Sequence, residues 1–70
     1  MMRDSLAELV QQMIDKGIPF EDAQREFERV FIQRALNKSN NNICKAARIT
    51  GLHRNTLSRK MQTYRIKKSA

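Results

Sequence analysis

The side chains with the most chemistry to offer sit in one run, GLHRNTLSRKM, at residues 51–61. His53, Arg54, Asn55, Thr56, Ser58, Arg59 and Lys60 all offer hydrogen-bond donors, and no acid interrupts them. Such a set suits an acceptor-rich, negatively charged surface. Arg forks onto guanine and Asn onto adenine in a major groove. Lys, Ser and Thr more often grip the phosphate backbone, which positions a protein without reading sequence. Other chemistries fit less well. Ser58 and His53 have no neighbouring acid to orient the imidazole, so they make no convincing nucleophile and base pair. Cys44 and His53 supply two donors where a structural zinc needs four. Cys44, the single cysteine, has no partner for an internal disulfide, which fits a reducing compartment, and it reads as a small buried or half-buried thiol. An enzyme is not expected, nor is a metal or other cofactor.

The charge distribution points the same way. Residues 1–38 carry seven acids and six bases, a net of −1, whereas residues 39–70 carry eight bases and no acid, a net of +8. The eight are Lys45, Arg48, Arg54, Arg59, Lys60, Arg65, Lys67 and Lys68. Solvated surfaces ordinarily mix both signs. A one-signed block attracts a polyanion and gains affinity by releasing its counterions. No apolar run approaches the ~20 residues of a membrane span, and the N-terminus lacks the layout of a secretion signal. One domain over residues 1–70 is expected, in a soluble, cytoplasmic, nucleoid-associated protein whose partners include no membrane and no small-molecule substrate.

Periodicity supplies the elements that must position these residues. Leu6, Leu9, Val10, Met13 and Ile14 recur at i, i+3, i+4, i+7 and i+8, which predicts a helix over 4–16. Asp4 or Ser5 can cap it, with Glu8 completing a capping box. Gly17 and Pro19 end it. A second helix over 20–38 follows, with Glu21 and Asp22 where its dipole favours anions. Its broad stripe holds Phe20, Ala23, Phe27, Val30, Phe31, Ala35 and Leu36, with Ile32 beside them. The cluster Ser39-Asn40-Asn41-Asn42 reads as a turn that caps the next helix. Residues 43–50 form a short helix of small girth and 53–64 a last one, with Leu57, Met61 and Tyr64 inward. Residues 65–70 are a basic end, frayed apart from Ile66. No segment alternates with period two, so the fold class is all-α.

A short helix, a tight turn with glycine and a second helix crossing steeply make a helix-turn-helix, here over 42–64. Ala46 and Ala47 supply the small residues where the helices touch, and Gly51 supplies the positive φ of the turn. With Leu52, Leu57 and Met61 turned inward, the donors of residues 53–60 are left outward. That is where a recognition helix meets base edges, and acids are missing there because each would face phosphate.

ALNKSNNNICKAARITGLHRNTLSRKM, residues 35–61, resembles the C-terminal helix-turn-helix of the Fis family, a module that also ends the NtrC-type enhancer-binding activators. Ala35-Leu36, Asn42, Ala46-Ala47, Gly51-Leu52, Arg54, Thr56-Leu57 and Lys60-Met61 fall on the family pattern. The close resemblance covers 35–66; residues 4–34 resemble the family only as two amphipathic helices. It implies a homodimer built on the first two helices, with one helix-turn-helix per subunit in successive major grooves. It also implies DNA contacts from Arg54, Thr56 and Lys60 or Arg59, and a phosphate contact from Asn42. Two positions depart from the pattern: Asn41 stands where glycine is common, and Cys44 replaces a common hydroxyl. No ATPase domain is present, so the chain is either a free-standing small regulator, for which Met1-Met2 offers a start, or the tail of a larger activator.

The resulting expectation is a double-stranded DNA-binding homodimer acting in transcription or nucleoid architecture and bending its DNA. Asn42, Cys44, Lys45, His53, Arg54, Asn55, Thr56, Ser58, Arg59, Lys60, Arg65 and Lys67 form the DNA surface. Arg54 reads or anchors at a base edge, while Lys45, Lys60, Arg65, Lys67 and Lys68 mainly hold phosphate. Leu6, Leu9, Val10, Met13, Phe27, Val30 and Phe31 form the dimer interface, because two helices and two small ones enclose too little volume for so broad a stripe. The competing reading is a helical protein-interaction module whose basic end binds acidic surfaces or RNA.

Overall fold

The structure, a computed structural model, describes residues 2–66, the side chain of Met2 excepted. Four helices follow one another: α1 (Met2–Asp15), α2 (Phe20–Lys38), α3 (Ile43–Thr50) and α4 (Arg54–Thr63). No strand occurs among the described residues. Lys67 and Lys68 lie outside them. The all-α order agrees with the periodicity, but one start does not. Asp4 and Ser5 lie inside α1, so neither is its cap. Met2 and Arg3 are good helix formers that carry the helix upstream, and Asp4 in its first turn still suits the positive end of the dipole.

Three helix ends use one hydrogen-bond device with different residues. At Gly17 (φ +76), the Gly17 N–H donates to Ile14 O and the Ile18 N–H to Met13 O. This paired pattern satisfies two orphan carbonyls and needs a left-handed residue between them. Asn40 (φ +55) takes the glycine's place after α2, with Asn41 N–H donating to Leu36 O at 2.8 Å. Asn tolerates that conformation better than most side chains. Arg65 (φ +54) does so after α4, and Ile66 N–H returns to Met61 O. Ile66 is thereby tied back onto the core.

The core joins three helices. Ile32, Ala35 and Leu36 of α2 meet Ala46 and Ala47 of α3 and Leu57 and Met61 of α4; Ile43, Leu52, Tyr64 and Ile66 close its rim. Leu36, Ala46 and Leu57 are fully buried. Alanine at 46 and 47 leaves room for the helices to approach. Ser39, the buried polar residue, donates its hydroxyl to Leu36 O, so burial leaves no unpaired group.

The single broad stripe expected of α2 is two faces. Ile32, placed beside the stripe by the sequence, lies at its centre of burial, while Phe20, Phe27, Val30 and Phe31 are exposed. Ile32, Leu36 and Ser39 are spaced by four and three residues and so share the face that meets the helix-turn-helix. Phe20 faces away from it, whereas Phe27 and Phe31 lie at the border, lining the trough on one side and adjoining Thr50, Leu52 and Lys60 on the other. α1 contributes nothing to the core. Instead α1 and α2, joined by Ile49 of α3, line an open apolar trough of about 860 Å³, with Leu6, Leu9, Val10, Met13, Phe27, Val30 and Phe31 on its walls. Phe27 and Phe31 touch there with ring centroids 5.5 Å apart. No helix among the described residues is long and apolar enough to cross a membrane.

Candidate nucleic-acid interface

The geometry of the basic half begins with the cap of α3. Asn42 is extended (φ −85, ψ 110), and its Oδ1 accepts from the Lys45 N–H at 3.0 Å. Capping uses the oxygen and leaves the amide nitrogen as a donor on an exposed residue. Cys44 and Lys45 are exposed on the same first turn, so Cys44 is not the buried or half-buried thiol expected of it: the first turn of α3 turns Ala46 and Ala47 inward and leaves the thiol on the outer side. At the other end Gly51 (φ +75) donates its N–H to Ala47 O at 2.9 Å. Thr50 staples the turn: its hydroxyl donates to Ala47 O and accepts from the Leu52 N–H.

His53 then caps α4. Its backbone is extended (φ −64, ψ 144), and Nδ1 accepts from the Asn55 N–H at 3.1 Å. A neutral imidazole that accepts at Nδ1 carries its proton on Nε2, so the exposed ring presents a donor outward. Burial of Leu57 and Met61 fixes the roll of α4. Arg54, Asn55 and Arg59 are exposed, while Thr56, Ser58 and Lys60 are half-buried. The Arg54 guanidinium lies 3.9 Å from the Cys44 sulfur. The start of α3 therefore adjoins the start of α4, and residues 42–45 and 53–56 form one surface. Arg65 is exposed beyond the end of α4.

Among the described residues, the ion pairs are Arg29–Glu26 and Lys60–Glu28. Lys45, Arg48, Arg54, Arg59 and Arg65 have no such partner there. Lys60 differs from the other bases: its Nζ donates to Glu28 Oε1 at 2.6 Å. The Tyr64 hydroxyl donates to the other oxygen, Oε2, also at 2.6 Å. These hydrogen bonds, Lys60's first and Tyr64's second, hold the Glu28 carboxyl below the usual carboxylate range. The same contact raises the Lys60 ammonium and the Tyr64 phenol above their ordinary values. Sequence reading missed Glu28. The available signal was its place four residues before Ile32 on one face of α2, opposite Lys60 in the last turn of α4 and Tyr64 at its C-cap, four residues apart.

Residues 23–64, more than half of the chain, match the family model described as bacterial regulatory protein, Fis family. The match covers α2 from Ala23 onward, α3 and α4, and leaves α1 outside. Comparison with curated proteins returned no match, and comparison with solved structures returned none.

Proposed function

We propose, for a chain that belongs to the Fis family of bacterial regulatory proteins and is thus a DNA-binding regulator, that a homodimer reads two successive major grooves with its paired α4 helices. The observation that carries this reading is the outward set on α4. Arg54, Asn55 and Arg59 are exposed with no acid on their own helix, on an element rolled into place by Leu57 and Met61. Arg54 takes the base-edge role; Asn55, Thr56 and Ser58 share base and phosphate contacts. Asn42, Cys44 and Lys45 meet the backbone from the first turn of α3, with His53 donating from the head of α4. Arg59 and Arg65 hold phosphate farther along.

The dimer is supported by the apolar trough. Leu6, Leu9, Phe27 and Phe31 are each about half exposed in one protomer, and α1 has no place in that protomer's core. Two copies facing each other would enclose these faces in a four-helix centre. A two-fold axis there sets the reading helices against half-sites roughly 34 Å apart. The remaining bases then lie against flanking DNA, and contacts to the flanks offset a bending cost of a few kcal/mol. Such a protein serves as a transcriptional regulator or an architectural factor.

Alanine substitution tests the assignment. Arg54→Ala should weaken binding to a selected duplex by ~1–3 kcal/mol and relax preference at one base position. Unchanged affinity and preference would remove α4 from the groove. Bending is tested with circularly permuted fragments carrying the site; equal gel mobility of all permutations would refute it.

A further inference from the structure

The Glu28 contact stands apart from everything else on this half of the molecule. The basic half contains no acid, yet α2 reaches across and sets a carboxylate against α4. Both oxygens are used, one by Lys60 and one by Tyr64. The two donors, Lys60 in the last turn of α4 and Tyr64 at its C-cap, are four residues apart, so they grip a single acceptor from one face. The Glu28 and Lys60 side chains retain only 27% and 32% of their exposure. An acid beside a DNA-facing helix weakens the attraction of phosphate. Its presence is explained if it provides geometry instead.

From this we infer that Glu28 is a positioning residue: it withholds Lys60 from the phosphate backbone and, through Lys60 and Tyr64, fixes the angle of α4 on α2. The inference rests on the reading that α4 enters the groove. Charge-assisted hydrogen bonds of this kind are short and directional. α2 carries Phe27 and Phe31 beside Glu28, so the latch connects the proposed dimer face directly to the reading helix. The tilt of each α4 relative to the two-fold axis then depends on a side chain that touches no DNA. Of the two neighbouring bases at 59 and 60, Arg59 is left as the phosphate contact, because it is exposed and has no ion-pair partner among the described residues.

The test is a charge cycle read by the salt dependence of binding. Each phosphate neutralised contributes ~0.9 to the slope of log affinity against log salt. Glu28→Gln should free Lys60 and steepen the slope by ~0.9 per protomer, while preference for a selected duplex over a random one declines. The double variant Glu28→Gln/Lys60→Gln should return to the wild-type slope without regaining that preference. A wild-type slope in Glu28→Gln would overturn the proposal. So would a double variant whose slope falls ~0.9 per protomer below wild type, since Lys60 would then have been holding phosphate all along. The chain has one tyrosine and no tryptophan, so its alkaline absorbance titration reports on the latch without DNA. Glu28→Gln should move that titration to lower pH, and no movement would show that the latch is not made in solution. Arg54→Ala, run alongside, keeps the groove reading separate. If it binds as wild type while Glu28→Gln still steepens the slope, the groove reading fails and the withholding of Lys60 stands.

Discussion

Gly51 isolates one energetic cause. Its φ is +75, and a Cβ built there would meet no atom within 4 Å. Any cost of substitution is therefore conformational and not a clash with neighbours. An ordinary L-residue held in the left-handed region is destabilised by roughly 1–2 kcal/mol. Asn is several-fold enriched in that region, whereas a β-branched side chain there is an outlier. The expected order of destabilisation is therefore Gly51→Asn, then Gly51→Ala at ~1–2 kcal/mol, then Gly51→Val at more than that. In a domain of this size 1 kcal/mol moves the melting temperature by about 4–8 °C. Circular dichroism melts at one fixed protomer concentration measure this, since the midpoint of the proposed dimer depends on concentration. Equal melting of the Asn and Val variants, or an order that follows side-chain volume alone, would refute the assignment of Gly51 to a left-handed turn. Because Gly51 is placed off the DNA surface, each variant that remains folded should keep the wild-type preference for a selected duplex.

Other outcomes follow from the same geometry. Asn42→Ala removes the α3 cap and should lower stability by about 1 kcal/mol; an unchanged melt would mean that the Lys45 N–H finds another acceptor. Phe31→Asp puts a charge on the half-exposed trough wall but outside the core, so light scattering should report a folded monomer; a persisting dimer would move the interface elsewhere. The Glu28 latch predicts a pH window. A carboxyl held low stabilises the fold above its unfolded value and loses that contribution as pH falls through its lowered one. A phenol and an ammonium held high stabilise below their unfolded values and lose it as pH rises through the raised ones. Glu28→Gln should therefore melt below wild type between roughly pH 5 and pH 9, with the two curves converging on either side. A constant gap across the whole range would show that titration of these groups has no part in it.

Much of this architecture is legible in the residues. Three helix starts fall at or within one residue of the periodic reading, because Pro19, Asn42 and His53 are local signals that act through backbone and cap geometry. Asp4 and Ser5 misled, because a capping residue only caps when the helix does not extend through it. The division of α2 into two faces was not readable: periodicity shows that Ile32, Phe27 and Phe31 are apolar, not which of them meets α3 and α4 and which faces a trough. Glu28 was hidden for a related reason. Its partners are far along the chain, at the end of α4, and one of four acids on α2 looks like any solvated charge until the packing angle places Lys60 and Tyr64 beside it. The basic surface itself was legible, since an acid-free block needs no tertiary information.

α4 is proposed to read sequence rather than charge. Fluorescence anisotropy on selected and random duplexes, each across a series of salt concentrations, tests it most directly, with the dimer mass taken on the same sample. The expected result is a dimer that prefers the selected duplex by ~10³-fold or more at moderate salt, with both affinities falling as salt rises. Equal affinity for the two duplexes with a steep salt slope would contradict it, leaving a protein held on DNA by counterion release alone.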